Sequence, residues 1–162
     1  NPRNILMNIY DKLAELKIEL PPVSVPAAAY LPFAQTGNLI FLSGHIARQD
    51  GKPWVGQLGL TMTTEEAKGA ARAVAIDLMG TLAAACLAVN KDLNHVKRIV
   101  KVMSLVNSTA TYTEQHLVTN GCSELIGQVF GPVVGAHARS AFGVAQLPMG
   151  ACVEIELIAE LQ

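Results

Sequence analysis

The sequence predicts an α+β fold: one domain in which helices pack on one face of a mixed sheet. Apolar residues recur at helical spacing in three segments, near the N-terminus, over about 63–89 and over about 112–130. Short Val- and Ile-rich runs fall between and after those segments and read as strands. The last run alternates, with Val153, Ile155, Leu157, Ala159 and Leu161 on one face and Glu154, Glu156 and Glu160 on the other. Such period-two alternation belongs to a strand with one face on a core.

In order, residues 4–17 place Ile5, Leu6, Ile9, Leu13 and Leu16 at helical spacing and predict an amphipathic helix. Pro21-Pro22 and Pro26 then force an extended connection, because proline fixes φ and restricts the residue before it. Residues 38–43 read as a buried strand ending at Gly44, and Asp50-Gly51 marks a turn. Thr63 followed by Glu66 is a capping-box pattern that opens a long helix to about Val89. Its interior of Ala67, Ala70, Ala71, Ala75 and Gly80 suits close approach to a sheet. Residues 90–94 read as a loop and 95–107 as a strand. The helix over 112–130 is closed by Gly131-Pro132, and 139–145 with 152–161 read as a hairpin joined by Leu147-Pro148-Met149-Gly150. With no repeat or composition break, a single domain is expected over 1–162: a helix and Pro-rich connection in 1–24, and the main body in 25–162.

Half of the chain is apolar (51%), 15% is charged and 5% is aromatic. Little polar surface is available to cover a monomer, which leaves two readings open: an oligomer that hides apolar area, or a sparsely charged monomer. Net charge is −1 and the pI about 6.5, so no global field favours nucleic acid or an anionic membrane. The basic cluster His95, Lys97, Arg98 and Lys101 reads as a solvated strand face. Cys86, Cys122 and Cys152 lack CxxC spacing and sit in apolar segments, where a thiol behaves as a small hydrophobe. A reducing, cytoplasmic location is the expectation, with the sequon Asn107-Ser108-Thr109 idle. The alanine-dominated stretch 73–89 contains Asp77 and reads as a buried helix too short for a bilayer, and no signal-type run is legible near the start.

The four histidines (His45, His95, His116, His137) show no metal-ligand spacing, and neither a Walker A loop, a GxGxxG nor a GxSxG elbow occurs. No metal site and no nucleotide-phosphate cradle are expected. Cys122 reads as a buried mid-helix residue and not as a nucleophile. One position stands out. Arg139 opens a short apolar strand in a chain sparing with charge, and its planar fork matches a carboxylate. Local chemistry leaves two outcomes open: Glu154, across the expected hairpin, neutralises Arg139 in a structural pair, or it works beside it.

The run from Ala138-Arg139-Ser140 through Leu147-Pro148 to Val153-Glu154-Ile155-Glu156 resembles the signature of the Rid (YjgF/RidA) family. Gly37-Asn38-Leu39-Ile40-Phe41-Leu42-Ser43-Gly44-His45, with Tyr30 upstream, is similar to that family's N-terminal block. The resemblance covers about 25–162, so the preceding helix marks a longer branch. It implies a chorismate-mutase-like, YjgF-like fold and a homotrimer whose sheets form a central barrel, with clefts between subunits. It further implies cofactor-independent hydrolysis of enamines and imines such as 2-aminoacrylate to 2-oxo acids and ammonia. By the same resemblance, Arg139 holds the substrate carboxylate and Glu154 positions water or relays a proton, while Tyr30, Ser43, Gly44 and Asn120 line the cleft. His45 stands where deaminase-type members more often carry Gln, and Ala141 where many carry Cys.

Three functions follow from these readings. The first is an enamine/imine deaminase anchored on Arg139. The second is a trimer that binds a small carboxylate without turnover. The third is an endoribonuclease, which the acidic pI and the lack of a basic-aromatic surface argue against.

Overall fold

The computed structural model describes residues 8–23 and 29–162. Ile5, Leu6 and Pro26 of the expectations above lie outside the described residues. The elements run α1 (Ile9–Glu15), β1 (Phe33–Thr36), β2 (Leu39–Ile46), β3 (Arg48–Gln49), β4 (Lys52–Pro53), α2 (Thr64–Leu87), β5 (Val96–Asn107), α3 (Gln115–Val134), β6 (Ala138–Val144) and β7 (Val153–Leu161). Asp50 and Gly51 turn β3 into β4 with positive φ at both positions, as a tight two-residue hairpin requires.

Five strands form a mixed sheet in the order β1-β2-β7-β5-β6. β7 is antiparallel to both neighbours, and β6 is parallel to β5. Helices α2 and α3 pack against each other and on the same face, α2 over β2 and β7, α3 over β5 and β6. The α+β class with helices on one face is therefore observed.

Strand alternation fixes what each face carries. Val153, Ile155, Leu157, Ala159 and Leu161 of β7 are buried beneath the helices with Val102 and Val106 of β5. Glu154, Glu156 and Glu160 alternate with them and lie on the face opposite α2 and α3. The Thr63 hydroxyl accepts a hydrogen bond from the Glu66 amide, as the capping pattern predicts. By length and composition α2 could cross a bilayer, and is longer than the stretch read from sequence; it is instead a core helix, with Ala67, Ala71, Val74, Leu78 and Ala85 buried.

The expected hairpin of the last two strands does not form. β7 inserts between β2 and β5, and β6 pairs with the other edge of β5. Periodicity reports which face a residue takes but not which strand sits beside it. The connection needs a sharp reversal, made where Met149 and Gly150 both adopt positive φ. α3 starts at Gln115 rather than Tyr112 and runs past Phe130. Gly131 leaves helical geometry (φ 84, ψ 176), and Pro132 opens one more turn, a position that suits its fixed φ. β2 continues beyond Gly44 to Ile46 through a register shift against β7. All three cysteines are buried and free, and Asn107 of the sequon is buried with both its amide ends bonded.

Close helix contact depends on Gly121 of α3. A Cβ there would lie 2.0 Å from the Lys68 carbonyl oxygen of α2. Neither helix can move without disturbing the sheet beneath. Gly121→Ala should destabilise the protein by about 3 kcal/mol, the upper end for overpacking. Gly69→Ala, where an added Cβ meets nothing, should stabilise it by up to about 1 kcal/mol through helix propensity. Urea unfolding of both variants beside wild type measures the contrast.

Candidate functional site

The residues singled out from the sequence fall into two groups on opposite faces of the sheet. The first group gathers on the bare face, where β2 shifts register against β7 between Leu42 and His45. The shift is held locally. The Ser43 amide donates to Pro32 O at 3.0 Å, and its hydroxyl donates to Leu31 O. Tyr30, beside Leu31, is exposed. Gly44 lies against the Glu154 carboxylate, where a Cβ would stand 2.6 Å from Oε2. Only glycine lets that carboxylate rest on the β2 backbone. Ser43 and Glu156 also line a recess of about 480 Å3 with Leu31, Phe33, Phe41 and Ile158. Burial, and secondarily the neighbouring Glu156, push the Glu154 carboxyl above its ordinary value.

The second group sits on the helix-covered face at the β6 edge. β6 lies in register with β5, Arg139 opposite Val102, so Arg139 shares the covered face with buried Val102. Its Nη1 donates to Asn120 Oδ1 (2.8 Å) and to Ser123 Oγ (3.2 Å), both on α3. Nη2 donates to the His116 carbonyl at 3.4 Å. Among the described residues no carboxylate pairs with the guanidinium, and no acceptor meets Nε. Nε–H and the outer Nη2–H point along one edge, the two-pronged donor that a carboxylate fits.

The structural Arg139–Glu154 pair left open above is therefore absent. β5 separates the two strands, and the side chains leave opposite faces. Arg139 is level with Val102 and Glu154 with Leu105. That places them about 10 Å apart along the strands and about 10 Å across them. One chain brings Asn120 to Arg139 and Gly44 to Glu154, with Ser43 next to Gly44 and bonded to Leu31 beside Tyr30; it does not join the two groups.

Ser123 and Thr81 escaped the sequence reading, and His137 and Asp77 were given no place in a site. Ser123 bridges Arg139 to His137, with its oxygen 2.9 Å from His137 Nε2. Their spacing was legible in part: Asn120 and Ser123 are three apart on a helix, and His137 stands two residues before Arg139, just ahead of β6. Behind the Ser43–Gly44 segment, His45 Nδ1 meets Ser43 O at 2.6 Å and Nε2 meets Thr81 Oγ1 at 2.7 Å. Burial holds the His45 pKa below its usual value, and burial raises that of Asp77, one turn before Thr81 on α2. Burial also lifts the thiols, Cys122 to about 12 and Cys86 and Cys152 to about 11, so none is a poised nucleophile. Among the described residues no cluster of His, Cys, Asp and Glu could hold a metal.

The family model described as endoribonuclease L-PSP matches residues 22–161. This chain belongs to the YjgF/Rid family. Within the family it is similar to Protein TCP17 of Trypanosoma cruzi, 44% identical over 92% of this chain and 91% of that one. The crystal structure of Atu1372 from Agrobacterium tumefaciens, a protein of unknown function, is 38% identical with a TM-score of 0.84, covering 95% and 94% of the two chains. A Shewanella oneidensis protein assigned provisionally as an endoribonuclease superposes with a TM-score of 0.88 at 26% identity, over 96% and 100%. At 19% identity the E. coli YjgF/Rid-fold protein TdcF, solved with serine bound, shares the fold with a TM-score of 0.54 over 88% and 94%.

The raised Glu154 pKa makes a prediction about stability. The folded protein holds that proton more tightly than the unfolded chain, so this contribution is complete below the ordinary carboxylate pKa and is lost as pH rises through the folded value. Glu154→Gln should therefore gain stability relative to wild type as pH climbs through that window. Urea midpoints of the two proteins across that range check it, and a constant difference contradicts it.

Proposed function

We propose that this chain is a cofactor-independent deaminase that hydrolyses reactive enamines and imines of the 2-aminoacrylate type, in clefts shared between the copies of a homotrimer. The observation that carries this reading is the Arg139 guanidinium. Neutral acceptors on α3 hold it, and among the described residues no carboxylate pairs with it and no acceptor meets its Nε. A charge so placed suits an incoming carboxylate. The serine bound to TdcF is a ligand carrying that group.

The chemistry needs a proton donor and a water. Protonating the terminal carbon of 2-aminoacrylate gives 2-iminopropanoate. Water then adds to the imine carbon, and collapse of that adduct expels ammonia and leaves pyruvate. Glu154 is suited to the proton transfers, because its carboxyl is held above the ordinary range by burial and by Glu156. Anchoring the carboxylate fixes the imine carbon, and orientation of this kind can supply several kcal/mol, about 7 at best. Asn120 holds Arg139 and Gly44 lies against Glu154, while Ser43 and Tyr30 line the cleft in this reading.

A shared cleft is supported by the separation of the two groups. Arg139 and Glu154 leave opposite faces of one sheet, so a site using both draws them from different copies. The bare face offers apolar surface to such a neighbour, including Phe41 at 41% and Phe142 at 43% exposure. A cyclic trimer would join unlike surfaces and close on itself. An RNA substrate fits poorly with a net charge of −1 and a row of glutamates on that face.

With a pyridoxal-phosphate serine dehydratase generating 2-aminoacrylate, wild type should accelerate pyruvate release. Arg139→Ala should lower kcat/KM about 10- to 100-fold, the loss expected for a charge-assisted hydrogen-bonded pair. Glu154→Gln should lower kcat. Equal rates with wild type and Arg139→Ala would exclude the reading, as would pyruvate binding without turnover, which marks a carboxylate-binding trimer. Light scattering should give three copies per particle.

A further inference from the structure

We infer that His137 and Ser123 are positioning residues for Arg139, setting the guanidinium in the orientation that grips a carboxylate. The inference rests on the carboxylate-anchoring role proposed above and adds two residues to it.

The directions of the hydrogen bonds are fixed by what each atom can do. The Gly135 carbonyl lies 2.7 Å from His137 Nδ1 and can only accept, so Nδ1 carries a proton. A guanidinium can only donate, so Ser123 Oγ accepts from Arg139 Nη1 at 3.2 Å. The single serine proton is then left for His137 Nε2, 2.9 Å away, which in the neutral ring offers a lone pair. Every donor thus points the same way, from Arg139 through Ser123 and His137 to the Gly135 carbonyl. Bonds aligned in this sense polarise one another and make the serine oxygen a better acceptor.

The consequence falls on Nη1. Asn120 Oδ1 takes one of its protons and Ser123 Oγ the other, while the His116 carbonyl takes one from Nη2. These three acceptors fix the plane of the group and leave Nε and the second Nη2 proton without an acceptor among the described residues. Removing the serine acceptor frees that plane to rotate about the side chain, and the two prongs no longer meet both oxygens of an acid. His137 acts at one remove. Without it the serine hydroxyl has no assigned acceptor and can turn its proton toward the cation.

The sequence places the parts for this. His137 stands one residue before β6 and two before Arg139, and the break at Gly131 brings the chain round to Gly135, whose carbonyl anchors the ring. Gly135 itself is buried tightly, since a Cβ there would lie 2.7 Å from the Gly131 oxygen.

The test is pyruvate binding by calorimetry to the full-length protein. Ser123→Ala and His137→Ala should each weaken binding about 5- to 10-fold, and the double variant by no more than the weaker-binding single, because both break one chain. His137→Gln should recover binding to within about twofold of wild type, since its side-chain carbonyl can still accept the serine proton. Thermal midpoints identify any variant that fails to fold; for His137 the Gln and Ala pair, of which Gln keeps an acceptor, then decides. Additive losses in the double variant overturn the inference, as does His137→Gln binding no better than His137→Ala. If the single variants bind like wild type while Arg139→Ala loses binding, the positioning role fails and the anchor stands. If Arg139→Ala itself binds like wild type, the anchor fails and this inference falls with it.

Discussion

A sheet that, among the described residues, helices cover on one side only is the constraint from which the rest of this molecule follows. Helices α2 and α3 occupy one face, and strand alternation then assigns every side chain to a dry side or a bare side. On β7 the assignment is unambiguous, because its five odd-numbered residues are buried and aliphatic. A one-residue slip would drive Glu154, Glu156 and Glu160 under the helices, where unpaired carboxylates are expensive to desolvate. Register is transmitted across the sheet through β5. It places Arg139 beside Val102 on the covered face, and Glu154 beside Leu105 on the other. The separation of the guanidinium from the carboxylate is thus a product of parity along three strands.

The bare side is neither polar enough to be an ordinary solvated face nor apolar enough to be a core. Phe41, Ile158 and Phe142 lie among glutamates there. A chain with 15% charged residues has few other groups with which to wet the surface. Burying that face against a neighbour would bring the carboxylates with it, and each would need a donor from the partner. Arg139, held near the β6 edge by neutral acceptors, is a group with donors to spare. Apolar area favours association, and the acidic residues restrict which surface can complete it.

Most of the architecture was legible because periodicity is a local property. Thr63 and Glu66 marked the start of α2, Asp50-Gly51 marked the turn, and alternation gave the faces of β7. Pairing order was not legible, since adjacency in sequence made β6 and β7 look like a hairpin while β5 in fact lies between them. The error carried a chemical consequence: it set Glu154 next to Arg139. Asn120, named by resemblance as lining a cleft, accepts from Arg139 at 2.8 Å. Ser123 and Thr81 were overlooked, and Asp77 was given no part in a site, because a polar residue on an alanine- or valine-rich helix has no local signature. Only its partner across the layer gives it meaning.

His45 and His137 show the same arrangement in two places. Each ring meets the carbonyl two residues earlier through Nδ1 and a helix hydroxyl through Nε2, Thr81 in one case and Ser123 in the other. A histidine satisfied in this way pins a strand to a helix and offers no proton to the bare side. The cysteines are removed from proton chemistry as well, because burial raises all three. Asp77 has a raised pKa too, but it belongs to α2, whose Thr81 the ring of His45 meets. Among the described residues this leaves Glu154 as the group on the bare face whose pKa is shifted toward the range useful for moving protons. The Cβ clearance at Gly44 adds a geometric reason for the same choice, since any larger residue there would displace that carboxylate. Burial and parity together single it out, by closing off the alternatives elsewhere in the chain.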